Sequence, residues 1–110
     1  MANIQLAIEG QNAVEATETL LEIQEISGDW RSAGEGKVER ELTLATIATI
    51  VGIAGGTIAI AEQIRKWYQE WKKGKSGKKI DKVVMVGKGG ERLLLGSATA
   101  EDISKILEGM

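Results

Sequence analysis

Apolar and polar positions alternate at the start of the chain, with Ile4, Leu6 and Ile8 on one side, which predicts a half-buried strand over residues 3–9 that Gly10 ends. From Asn12, a suitable N-cap, the period changes. Val14, Thr17, Leu20, Leu21 and Ile26 recur at helical spacing, and Glu15, Glu18, Glu22 and Glu25 fall on the opposite, wet side. Acids in the first turn also suit the helix dipole. The sequence SGDW, residues 27–30, reads as the end of this helix, and SAGEG as a loop. Residues 37–44 predict a second strand, with Val38, Leu42 and Leu44 in phase and Arg40 out of place among them.

Residues 42–61 carry no charge, and the chain then turns polar, basic and aromatic through residue 73. The pattern predicts a long apolar-then-basic helical segment over residues 42–73, hinged at Gly55 and Gly56. Each glycine in a helix interior costs about 1 kcal/mol relative to Ala, so the pair marks a bend or a point of close packing. GKSGKK, residues 74–79, is a flexible basic connector. Val83, Val84, Met85 and Val86 belong to a strand, GKGG (residues 87–90) to a hairpin turn, and Arg92 to Leu95 to the return strand. Thr99 and Asp102 have capping-box spacing and open a closing helix with Ile103, Ile106 and Leu107 facing inward. The order strand, helix, strand, long glycine-broken helix, hairpin, helix predicts a single α+β domain over residues 1–110.

Three readings compete for the apolar run. As a membrane span it has the minimum length, and Trp67, Tyr68 and Trp71 with Lys72 and Lys73 resemble an interfacial anchor. Only eight of its twenty residues are Leu, Ile or Val, however, which supply on the order of −2 to −5 kcal/mol for insertion, against four Thr and three Gly. As a plain core helix it is apolar on too many sides for a small domain to cover. The third reading adds cover from a second copy. Ala48, Gly52 and Gly56 recur every four residues, a spacing that lets helices approach closely, and Ile60, Ile64, Trp67 and Trp71 continue as a helix–helix seam. These seven residues are the expected oligomer interface.

Charge sharpens this picture. The net charge of −2 conceals a balance of −6 over residues 1–41 and +7 over residues 65–92. Segments of opposite sign suit attraction between subunits, a basic face for anionic lipid or nucleic acid, or ordinary solvated surface. The start of the chain lacks a signal-peptide pattern, so a cytoplasmic protein is expected, with membrane association left open by the apolar run.

Composition removes most familiar chemistry. With neither Cys nor His, the chain has no thiolate or imidazole ligand and no cysteine nucleophile or histidine base. GKGGER and GKSGKK lack the spacing and context of phosphate-binding loops and read as turns. The acids of the first helix pair with no second acidic cluster. No catalytic, cofactor-binding or metal-binding residue is expected, and no enzyme activity. Nucleic acid is disfavoured as a partner, because Trp67, Tyr68 and Trp71 share a face with Ile60 and Ile64 and belong to a core or an interface.

Four stretches carry a family likeness: IQLAIEG, VEATETLLEIQEI, ATIVGIAGGTIAIAEQIRKWYQEWKKG and DKVVMVGKGGERLLLGSATAEDISKIL. Over about residues 3–107, and most specifically over 47–71, the chain resembles the effector-associated constant component family of bacterial conflict systems. That resemblance implies a non-catalytic partner of caspase-like or trypsin-like protease effectors. The expected function is therefore an oligomerising scaffold or adaptor that assembles or gates such an effector. The alternative from a different class is a membrane-inserting, pore-like or anchoring protein that uses residues 42–61.

Overall fold

The structure, a computed structural model, describes residues 4–33, 45–74 and 80–109. It is an α+β domain in the order β1 (Ile4–Glu9), α1 (Ala13–Leu21), β2 (Ile26–Ala33), β3 (Ala45–Ile53), α2 (Thr57–Lys73), β4 (Lys82–Val86), β5 (Arg92–Leu94), a 3₁₀ turn (Leu95–Ser97) and α3 (Ala100–Glu108). The strands form one sheet in the order β2-β3-β1-β4-β5, every neighbouring pair antiparallel. Two antiparallel steps leave β1 parallel to β2 with β3 between them, and β3 parallel to β4 with β1 between them. The helices α1 and α2 therefore connect two interlocked split β-α-β units. The β4–β5 hairpin and α3 extend that βαββαβ arrangement at one edge.

The expected long helix over residues 42–73 is corrected: residues 45–53, in its apolar half, are strand β3, and the helix α2 begins at Thr57. Six of the nine residues of β3 are β-branched, and such side chains lose rotamer freedom in a helix while packing well on a pleated surface. β3 is paired to β1 on one side and β2 on the other; its core phase of Ala48 and Ile50 meets the helices, while Ile47 and Val51 in the other phase lie on the opposite face of the sheet. Gly55, at φ +97°, and Gly56, the N-cap of α2, form the turn from strand to helix, not a bend within one helix.

A second correction concerns SGDW. The helix α1 stops at Leu21, residues 22–25 make tight turns closed by Ile23 N–H to Leu20 O (3.2 Å) and Ile26 N–H to Ile23 O (3.0 Å), and SGDW then lies within β2. The strand expected at residues 37–44 lies outside the described residues, as does the expected connector apart from Gly74.

One face of the sheet carries the core. Ile4, Leu6 and Ile8 of β1, Ala48 and Ile50 of β3, and Val83 and Met85 of β4 pack with α1, α2 and α3 in a single buried cluster. From the helices come Ala16 and Leu20, Ile60, Ile64 and Trp67, and Ile103 and Leu107. The polar groups drawn inside are paired. The Trp67 indole N–H donates to Ala16 O (2.8 Å), and the Thr17 hydroxyl donates to Ala13 O (2.7 Å) and lies against the hydroxyl of Thr46. The expected capping box is present: Thr99 Oγ1 accepts from the Asp102 N–H and Asp102 Oδ2 accepts from the Thr99 N–H, each at 3.1 Å.

Two glycines are required by close approach. At Gly10, with φ +144°, a Cβ would stand 2.7 Å from the backbone of Ile80 and Asp81, where Asp81 N–H donates to Glu9 O (2.8 Å) and brings β4 alongside β1. At Gly28 a Cβ would stand 2.0 Å from the Thr49 carbonyl oxygen. Here Gly28 pairs with Ile50 and Ser27 with Gly52, so Val51 is an extra residue in β3. That bulge resets the alternation and returns Ile53 to the core face, opposite the buried Ile26.

Candidate functional site

The strand register also defines the second face of the sheet. Residues directly opposite on paired strands point the same way, so the neighbours of the core residues assemble into rows on the other side. One row runs Arg31–Ile47–Ala7–Val84–Leu94 from β2 across to β5. The next runs Asp29–Thr49–Gln5–Val86–Arg92. On the other side of the first, Glu9 sits beside Lys82.

No described element covers these rows, because all three α-helices pack on the opposite face. The middle of the face is apolar, and its ends are charged. Val51 and Leu94, 55% and 50% exposed, belong to this side and are two of the three large apolar side chains exposed among the described residues. The third, Ile58, is on the first turn of α2. Ala7, Ile47, Val84 and Val86 are half-buried. Apolar surface gathered in one place and ringed by charge marks interaction surfaces on small proteins.

The seven residues expected to form an oligomer seam do not form one surface. Ala48, Ile60, Ile64 and Trp67 are buried in the chain's own core, and Trp71 is half-buried against it. Gly52 belongs to β3 and Gly56 to the turn after it, so the four-residue spacing of Ala48, Gly52 and Gly56 brings no helices together. A Cβ on Gly52, Gly55 or Gly56 would meet nothing within 4 Å, and no close packing depends on them. The aromatic cluster is likewise internal: Trp67 and Tyr68 are buried, so neither offers an exposed ring for a base to stack on.

The face that sequence reasoning missed was hidden by its own composition. When both phases of a strand are apolar, hydrophobic period cannot separate a strand from a buried helix segment, and β-branched enrichment must arbitrate. That enrichment was present in ATIATIVGI and was the available signal. The identities of Asp29, Arg31 and Arg92 carried none, because only pairing across five strands places them on one side.

Other clefts are shallow. One lies between the start of α2 and α3, where Thr57 Oγ1 and Ser104 Oγ are hydrogen-bonded at 2.7 Å, flanked by Glu101, Lys105 and Glu108. Another runs beside Trp67 between Thr19, Ile23, Gln63 and Lys66. Among the described residues no group of three or more acids is placed to hold a metal ion. Among them, too, no helix is long and apolar enough to cross a membrane; residues 45–61 are divided between β3, the turn and the first turns of α2. Comparison of the chain with protein-family models, with curated proteins and with solved structures returned no match.

Proposed function

We propose that this chain is a non-catalytic interaction module, an oligomerising scaffold or adaptor that assembles or gates a separate protease-type effector in a bacterial conflict system. The observation that carries the reading is the uncovered sheet face, whose apolar centre of Ala7, Ile47, Val84 and Leu94 has no partner within the described chain. A face that served only the fold would gain nothing from Leu94 and Val51 standing half in water. The family likeness of the sequence supplies the class of partner, and the absence of His and Cys from the chain agrees with a role that leaves chemistry to the effector.

Sedimentation velocity over a concentration series, alone and with a purified caspase-like or trypsin-like effector encoded beside it, tests this directly. Self-association or co-sedimentation that Val84→Glu abolishes is the expected result. A compact monomer that ignores both concentration and effector would refute it. Liposome flotation serves as the control against the membrane-inserting alternative: a scaffold leaves vesicles unbound and intact, whereas an inserting protein floats with them and releases entrapped dye.

A further inference from the structure

The geometry points to a specific homodimer: two copies stack sheet on sheet through the uncovered face, related by a two-fold axis running roughly along β1, with Asp29 of each copy over Arg92 of the other. This rests on the reading of the chain as a self-associating module and names its surface and symmetry.

The argument is one of charge and register. Asp29 and Arg92 stand at opposite ends of a single row, on the two edge strands, about 19 Å apart across four strand spacings of about 4.8 Å each. An axis along β1 carries β2 of one copy over β5 of the other and β3 over β4, while each residue keeps its height along the strands. Ile47 then meets Val84 of the second copy, and Ala7 meets its own equivalent, where the small side chain lets the sheets close. Asp29 meets Arg92 twice, once at each edge. Arg31 lies over Leu94 of the second copy, its methylene stem covering the most exposed apolar end of the central row. Glu9 comes near its own equivalent at one end of the axis, with Lys82 beside it in the same sheet to offset the like charges.

The competing face-to-face arrangement uses fewer of the same residues. An axis across the strands lays β2 over β2: centred on the first row it sets Arg31 against Arg31, and centred between the two rows it pairs Asp29 with Arg31 but lays Arg92 over Leu94. The axis along β1 is the one that brings both Asp29 and Arg92 to an opposite charge, so a dependence on Arg92 distinguishes it. Area sets the strength. Three open-face rows span roughly 20 Å by 20 Å, about 400 Å² per copy and about 800 Å² in total, below the roughly 1,200 Å² at which specific complexes become standing ones. The dimer is a dissociable one, formed where copies are crowded together, as they would be on an effector.

Charge reversal tests the geometry. Sedimentation equilibrium from about 10 μM to about 1 mM compares wild type, Asp29→Arg, Arg92→Asp, and an equal mixture of the two variants. Each single variant faces like charges at both edges and should weaken dimerisation at least about tenfold. The mixture should recover wild-type affinity, because in the mixed dimer the introduced base meets the introduced acid and the remaining Asp29 and Arg92 pair as before. Both sites are exposed, so unchanged thermal unfolding of the variants is expected and removes misfolding as an explanation. If wild type self-associates and both variants match it, the stacking geometry is wrong while the scaffold reading stands. Weakening that mixing does not reverse also overturns the geometry. A wild type that stays monomeric throughout overturns the proposal and the self-association it rests on together.

Discussion

The two faces of this sheet are built from the same strands, residue beside residue, yet they obey different rules. On the helix-covered face Leu6, Ile50, Val83 and Met85 are fully buried, and no carboxylate, ammonium or guanidinium group is among the buried residues of the cluster. On the other face their immediate neighbours Gln5, Thr49, Val51, Val84 and Lys82 mix small apolar side chains with polar and charged ones. The first composition suits a surface that is never meant to open. The second suits one that must be stable in water and still gain by being covered, the property expected of a contact that forms and dissolves.

Adjacent residues with opposite orientation make this comparison measurable. Met85→Ala removes a fully buried side chain and should lower unfolding free energy by about 2–5 kcal/mol. Val84→Ala, one residue away on the open face, should change it by less than about 1 kcal/mol, both read by chemical denaturation of dilute monomer. Equal losses would mean that something in the chain covers the second face. The glycines give a matching pair. Gly28→Ala drives a methyl group into the Thr49 carbonyl at the β2–β3 bulge and should destabilise by about 1–3 kcal/mol, with loss of amide protection confined first to β2. Gly52→Ala, facing open space, should stay within about 0.5 kcal/mol of wild type.

Trp67→Phe keeps an aromatic ring in the core but leaves the Ala16 carbonyl without its indole donor. A loss of about 1–3 kcal/mol in the same assay is expected. A smaller loss belongs to Thr99→Ala, which removes the reciprocal cap of α3 and should cost about 1 kcal/mol, visible as faster amide exchange in the first turn of that helix.

Legibility followed the same division. Where one phase was apolar and the other polar, sequence and structure agree: β1 from Ile4, Leu6 and Ile8, and α3 from Thr99, Asp102, Ile103 and Leu107. β4 is apolar in both phases, but its short length and the GKGG turn beside it marked the β4–β5 hairpin. Where both phases were apolar, in β3, period carried no information and the segment read as helix. The seven-residue seam drawn on that helix dissolved with it, since Ala48 and Ile64 face the interior from a strand and a helix respectively. The uncovered face could not be read at all from local pattern, because it is assembled from five strands whose order departs from the order in the chain.

By itself the sequence determined the α+β class, the strand at the start, the amphipathic second half of the long segment, the hairpin and the capped closing helix, together with the exclusion of imidazole and thiol chemistry. These are matters of composition, or of periodicity and capping within a few residues, and they act before the chain has any tertiary neighbours. Only the tertiary structure decided which strands residues 45–53 pair with, which side of that strand the helices occupy, and that Asp29 and Arg92 share a row. Those outcomes depend on hydrogen bonding and burial between segments far apart in sequence, and no window along the chain contains both halves of the pair.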